Sequence, residues 1–199
     1  YTATYTNNQF VYTLTPSSTD GLNIGKFRLK PEALGSSPAI AISFTQSDFL
    51  LAFNGSLQAP QISSGFSITL AGLSLNKTTV AANPINITTT AQEQTFTMFA
   101  SDFTIKNVGT TAAVTISYGT DILFVGMNGT MNFMGTDLPF TNFFVNSAGF
   151  MNIGGTNTGS FVPANSPVTM LANRLRVTNL GLVTVNNEYN LRATVSYQL

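Results

Sequence analysis

Apolar and polar residues alternate with a period of two along most of the chain. Phe10, Tyr12 and Leu14 share one parity against Val11 and Thr13; Ile40, Ile42 and Phe44 stand against Ala41 and Ser43, and Phe66, Ile68 and Leu70 against Ser67 and Thr69. Val114, Ile116 and Tyr118 repeat the pattern, and Leu191, Ala193, Val195, Tyr197 and Leu199 carry it against Arg192, Thr194, Ser196 and Gln198. Successive side chains of a strand point to opposite sheet faces, so each run predicts a strand with one buried and one wet face.

The charges keep the same parity. Lys26, Arg28 and Lys30 flank Phe27 and Leu29, and Arg174 and Arg176 flank Leu175. These cations are expected in solvent while their neighbours fill the core. Turn-forming clusters separate the runs at residues 16–21, 35–38, 128–129, 154–159 and 163–167. No stretch of a dozen residues carries a helical period free of Gly, Pro and β-branched residues. The expected fold is all-β, a sandwich or jelly roll of about eight to twelve strands. Residues 124–161, where Phe, Met, Gly and Asn crowd short irregular runs, are read as long loops covering one end of it.

Composition narrows the chemistry. The chain has 199 residues, 43% of them apolar and 8% charged, which suits one substantial core without disulfides. Eight cations balance eight carboxylates, so the broad basic surface that nucleic acid needs is missing. With no His and no Cys, thiolate and imidazole chemistry is excluded, and the expectation is a chain that is not an enzyme, with no catalytic residues. The carboxylates are scattered; a glycosidase would need a pair such as Asp102 and Asp121 held about 5 to 9.5 Å apart. No Asp-x-Asp-x-Asp loop is present, and neither metal nor cofactor is expected. No apolar run approaches the roughly 18 residues of a membrane span.

Thr, Ser and Asn make up about a third of the chain, a composition that suits an exported protein. Because it begins with Tyr1, the chain is read as a mature product whose leader has been removed, located outside the cell or on its surface. Asn54-Gly-Ser, Asn76-Lys-Thr, Asn86-Ile-Thr and Asn128-Gly-Thr match the N-glycan acceptor pattern, with Asn54 and Asn128 expected in exposed turns and Asn76 at a strand end.

The first fifteen residues are the most informative. Tyr1, Ala3 and Tyr5 are apolar on the odd parity, Phe10, Tyr12 and Leu14 on the even, so the parity switches across Asn7-Asn8. A strand that changes the side it buries needs a bulge, a turn or a change of partner there. Either this is an ordinary first strand, or residues 1–14 leave the domain formed by 15–199 and complete a neighbouring subunit; the second reading is favoured. The strand ending Leu191, Ala193, Val195, Tyr197 and Leu199, apolar on one face, needs a partner on its open edge.

The segment Arg192-Ala-Thr-Val-Ser-Tyr-Gln198 resembles the terminal strand of bacterial chaperone-usher pilins, and together with the low charge and the Thr, Asn and Ser richness the chain is similar to the subunit family of the archaeal thread filament. The resemblance implies an immunoglobulin-like, pilin-like sandwich completed by a donor strand from the next subunit, and head-to-tail partnership with identical copies in a glycosylated helical or linear surface filament serving adhesion or biofilm formation. Tyr1, Ala3, Tyr5, Phe10 and Tyr12 are then the donor residues, and Leu191, Ala193, Val195, Tyr197 and Leu199 the acceptor groove. The alternative is a self-contained sandwich such as a lectin, adhesin or jelly-roll viral coat protein.

Overall fold

Aromatic and β-branched residues crowd the alternating runs, and the chain extends wherever they do. The computed structural model describes residues 1–14, 21–90, 93–108, 110–153, 160–162, 166–186 and 188–197, with the backbone alone at 88–90. The first part holds β1 (Thr2–Thr6), β2 (Gln9–Leu14), β3 (Leu22–Ile24), β4 (Phe27–Pro31), β5 (Ile40–Phe44), β6 (Phe49–Gln58) and β7 (Ser67–Asn76). A helix of five residues, α1 (Lys77–Ala81), follows, capped by Asn76, whose Oδ1 accepts from the Thr79 N–H at 2.8 Å. Next come β8 (Ile85–Thr90), β9 (Gln94–Met98), β10 (Ser101–Ile105), β11 (Val114–Gly119), β12 (Ile122–Phe133), β13 (Thr136–Asn146) and β14 (Met151–Asn152). The last four are β15 (Ser160–Val162), β16 (Val168–Met170), β17 (Leu175–Val185) and β18 (Glu188–Tyr197).

The protein is all-β, its strands pairing antiparallel in two sheets. The larger runs β1-β2-β5-β6-β7-β8-β11-β12-β10-β9, with β3 and β4 attached at β6 and β13 and β14 at β12; the smaller joins β15, β16 and β18 to β17. Expected strands form at 40–44, 67–70, 114–118 and 191–197. The expected side is buried at Ile68 and Leu70 and at Val114 and Ile116, but on β5 Ser43 is buried and Phe44 exposed, and on the last strand Val195 and Tyr197 are exposed. Phe27 is buried between exposed Lys26 and half-buried Arg28. One expectation fails plainly. Residues 124–161 are not mainly loops: β12 and β13 run through them as long strands, paired from Phe124↔Asn146 to Phe133↔Thr136, with Met127, Met131, Phe140 and Phe143 in the core. Their irregular composition reflects a bulge between Met127 and Gly129, across which the buried parity of β13 changes from Leu138 and Phe140 to Phe143 and Val145.

The topology contains a structural repeat. Strands β4, β5, β6 and β7 recur as β10, β11, β12 and β13, and even the isolated bridge Leu34↔Ser37 recurs as Val108↔Thr111, 74 positions later. Each copy turns on an Asn-Gly pair inside its longest strand. Asn54 donates its Nδ2 to Pro38 O at 2.6 Å and accepts from the Gly72 N–H at 2.8 Å; Asn128 donates to Ala112 O at 2.7 Å and accepts from the Asn142 N–H at 2.9 Å. Beside them Gly55 and Gly129 press on Lys30 O and Thr104 O, where an added Cβ would lie 2.1 and 1.9 Å away. Asn128-Gly129, expected as a turn, is thus a buried junction binding three strands.

Above the second copy lies the smaller sheet. Phe161 of β15 sets its ring 5.7 Å from Phe103, 6.0 Å from Phe140 and 6.2 Å from Phe143, closing that half of the core.

Candidate functional site

The N-terminal segment is a hairpin. Asn7 and Asn8 take left-handed φ of 53° and 60°, the conformation of a two-residue type I′ turn, and β1 pairs with β2 from Thr6↔Gln9 to Thr2↔Thr13. The parity switch is this turn. Because Tyr5 lies opposite Phe10 and Ala3 opposite Tyr12, the odd apolar residues of β1 and the even ones of β2 share one face of the hairpin. Tyr5 and Phe10 stack with centroids 4.5 Å apart, and the Tyr5 hydroxyl donates to Asn8 Oδ1 at 3.3 Å. The hairpin is joined to its own chain, since β2 pairs with β5 from Phe10↔Phe44 to Leu14↔Ile40.

Its aromatic face is bare. Tyr1 is 91% exposed, Tyr5 58% and Phe10 52%, and Tyr12, Leu14 and Phe44 are also exposed, while Gln9, Val11 and Thr13 on the other face are half-buried. Burial is therefore inverted relative to the half-buried strand expected for Phe10, Tyr12 and Leu14. The five aromatic side chains among these could remove on the order of 600 Å² from water if covered, and monomers seldom leave so large an apolar patch open.

The bare face runs on into a groove. Ile40 and Ile42 of β5 pair with Phe53 and Leu51 of β6, continuing the same side of the sheet, and there a cavity of about 320 Å³ opens with wholly apolar walls. Leu22, Leu29, Leu51, Leu75 and Ile87 are among them, and Leu22 at the rim is largely exposed. A larger hollow of about 780 Å³ lies on the opposite face over Ala41, Ala52, Ala71 and Gly72, edged by polar Thr69, Glu93 and Gln94.

The strand edges differ in how they are finished. On β7, the Gln94 side chain accepts from the Thr69 N–H at 2.6 Å and donates to Thr69 O at 3.0 Å, satisfying a backbone edge; the matching position in β13 is Pro139, which has no N–H. The outer edge of β1 carries neither charge, Pro nor bulge, and pairs with no strand among the described residues. On β18, Leu191 and Ala193 pack against the core, whereas Val195 and Tyr197 are exposed; Leu199 lies outside the described residues. The outer edge of β18 likewise has no strand partner among the described residues.

Other expected sites separate. Asn54 is 7% exposed and Asn128 3%, and both amide nitrogens are engaged, so neither is presented as a glycan acceptor; the Asn-Gly signal that suggested exposed turns belongs to the buried junctions. Asn76 is half-buried at its helix cap, and Asn86 is exposed on β8. In an N-glycosylating host, peptide mass spectrometry is expected to find a glycan at Asn86 and none at Asn54 or Asn128; an occupied Asn128 in folded protein would contradict its burial. Asp102 pairs with Asn132 near one end of β12 while Asp121 precedes the other end, roughly 30 Å away by strand rise, so these two carboxylates form no catalytic pair. Among the described residues no cluster of His, Cys, Asp or Glu fit for a metal occurs, and no helix is long and apolar enough to cross a membrane.

The chain matches no family model, no curated protein and no solved structure.

Proposed function

We propose that this protein is the structural subunit of an extracellular surface filament, an immunoglobulin-like, pilin-like sandwich in which the N-terminal segment of one copy completes the next. One observation carries the reading: the aromatic face of β1 and β2 is built with alternating regularity and left uncovered by its own chain. Apolar side chains held in register on an exposed, neutral strand pair are costly for a monomer and useful for a subunit. The outer edges of β1 and β18, unpaired among the described residues, and the apolar groove supply complementary surfaces on the same molecule, and a heterologous contact of this kind propagates into a filament. An adhesive or biofilm role and glycan decoration belong to the same proposal.

Burying Tyr1, Ala3, Tyr5, Phe10 and Tyr12 in a neighbour at about 1.5 to 3 kcal/mol for each large side chain gives on the order of 10 kcal/mol before ordering costs. The test is removal of residues 1–14, with assembly followed by negative-stain electron microscopy and light scattering. The full chain is expected to form filaments and the truncated chain a soluble, aggregation-prone monomer. Filaments from the truncated chain, or a full chain that stays monomeric under all assembly conditions, would refute the proposal.

A further inference from the structure

The structural repeat shows what the groove lacks. In the second copy Phe161 rests on Phe103, Phe140 and Phe143. Register places Leu29, Leu70 and Leu73 at the matching points of the first copy: Leu29 pairs with Leu57 as Phe103 pairs with Met131, and Leu70 and Leu73 bracket the Asn54 bulge as Phe140 and Phe143 bracket that of Asn128. All three leucines line the empty groove. Leu29 is half-buried, and Leu70 and Leu73 are buried at the floor of the groove, so the fold fills the space over one of two equivalent sheet faces with an aromatic knob and leaves a cavity of about 320 Å³ over the other.

From this we infer that the groove of the first repeat is the docking site for the intact β1–β2 hairpin of a second copy, laid face to face on it as the smaller sheet is laid on the second repeat. The inference rests on the assembly reading above and names its acceptor and its mode. Parity decides between a hairpin and an opened strand. In one continuous extended strand Tyr5 and Phe10 would point to opposite sides, so only half of the apolar residues could enter an apolar site. The turn at Asn7-Asn8 gathers Tyr1, Ala3, Tyr5, Phe10, Tyr12 and Leu14 on one side, which matches a groove with no polar wall and no need of backbone pairing. The hairpin's own groove lies beside it on the same face of the same sheet, so its side chains face outward, toward another molecule. The exposed edge of β18 is then not the main acceptor.

Two measurements test this in the full chain, which has no native cysteine. Thr2 and Thr13 face each other across the hairpin, at a spacing of about 5.5 Å or less that a disulfide can span. In the variant Thr2→Cys/Thr13→Cys, oxidation locks the hairpin shut and is expected to leave the assembled fraction unchanged; loss of assembly on oxidation, regained on reduction, would show that β1 must be peeled away and would overturn the inference. In mixed filaments, Ala3→Cys subunits treated with a short bis-maleimide are expected to crosslink to Leu22→Cys subunits and not to Tyr197→Cys subunits, whereas predominant crosslinking to Tyr197→Cys would place the acceptor at β18. Under either contrary result the reduced protein still forms filaments, so both are distinct from failure of the filament reading itself, in which removal of residues 1–14 changes nothing.

Discussion

Gly129→Ala is expected to lower the stability of the chain by about 3 kcal/mol, the upper end of what overpacking usually costs. The added Cβ would fall 1.9 Å from Thr104 O and 3.1 Å from Ile105 Cα. Both are backbone atoms of β10, itself held between β9 and β12, so neither can yield by rotating a side chain. Relief requires β12 to move away from β10, and that movement strains the bond from the Lys106 N–H to Asn128 O. In a domain of this size the change corresponds to a fall in melting temperature of roughly 6 to 12 °C. Gly55→Ala should behave alike, because its Cβ would lie 2.1 Å from Lys30 O. Gly126→Ala is the control: its nearest contact is the Thr115 hydroxyl at 2.6 Å, which can rotate, so its loss should be well under that of Gly129→Ala. Equal melting temperatures for the Gly126 and Gly129 variants would show that the close strand approach is absent.

These glycines mark where sequence reasoning succeeded and where it ran out. The alternation of Ile40, Ile42 and Phe44, or of Phe66, Ile68 and Leu70, is local, and the strands stand where it put them. Asn-Gly is a strong hairpin signal in isolation, so residues 54–55 and 128–129 invited the reading of turns. A wider comparison carried the corrective signal. Gly35-Ser-Ser-Pro-Ala-Ile-Ala-Ile-Ser-Phe44 and Gly109-Thr-Thr-Ala-Ala-Val-Thr-Ile-Ser-Tyr118 align without a gap, and the same 74-residue offset carries Asn54-Gly55 onto Asn128-Gly129. A dipeptide repeated at one position of a long apolar frame belongs to the architecture of that frame. With the repeat recognised, residues 124–146 would have been assigned as the counterparts of β6 and β7 instead of as loops.

The assembly surface was half legible. The parity switch at Asn7-Asn8 was visible, and a turn was one of its possible causes. Which face of the resulting hairpin is covered was not visible, because alternation distinguishes the two sides of a strand without saying what lies over either. Cover comes from distant residues: Phe161 reaches its partners across 58 residues to Phe103 and 18 to Phe143, a relation no local pattern encodes. The groove at Leu29, Leu70 and Leu73 escaped for the same reason, since its lining residues look like an ordinary core until the missing lid is noticed.

Phe161→Ala is expected to make the two repeats alike in that respect. The ring is 7% exposed and meets three others at 5.7 to 6.2 Å, so its loss removes a large buried side chain and leaves a cavity in a packed aromatic cluster. Such truncations cost about 3 to 5 kcal/mol, here roughly 6 to 20 °C in melting temperature. The first repeat has an apolar cavity at the matching place, and filling it from within should have the opposite consequence. Leu22→Phe adds volume at the exposed rim, where the side chain is free to turn inward over Leu29; it should hold or slightly raise the melting temperature of the monomer while reducing assembly. The pair of variants thus separates cover that stabilises the subunit from cover that joins subunits. Differential scanning calorimetry and electron microscopy on the same samples read both effects. If Phe161→Ala melts with the unaltered chain, the smaller sheet is not the lid of the second repeat, and the analogy that assigns a lid to the first repeat loses its template.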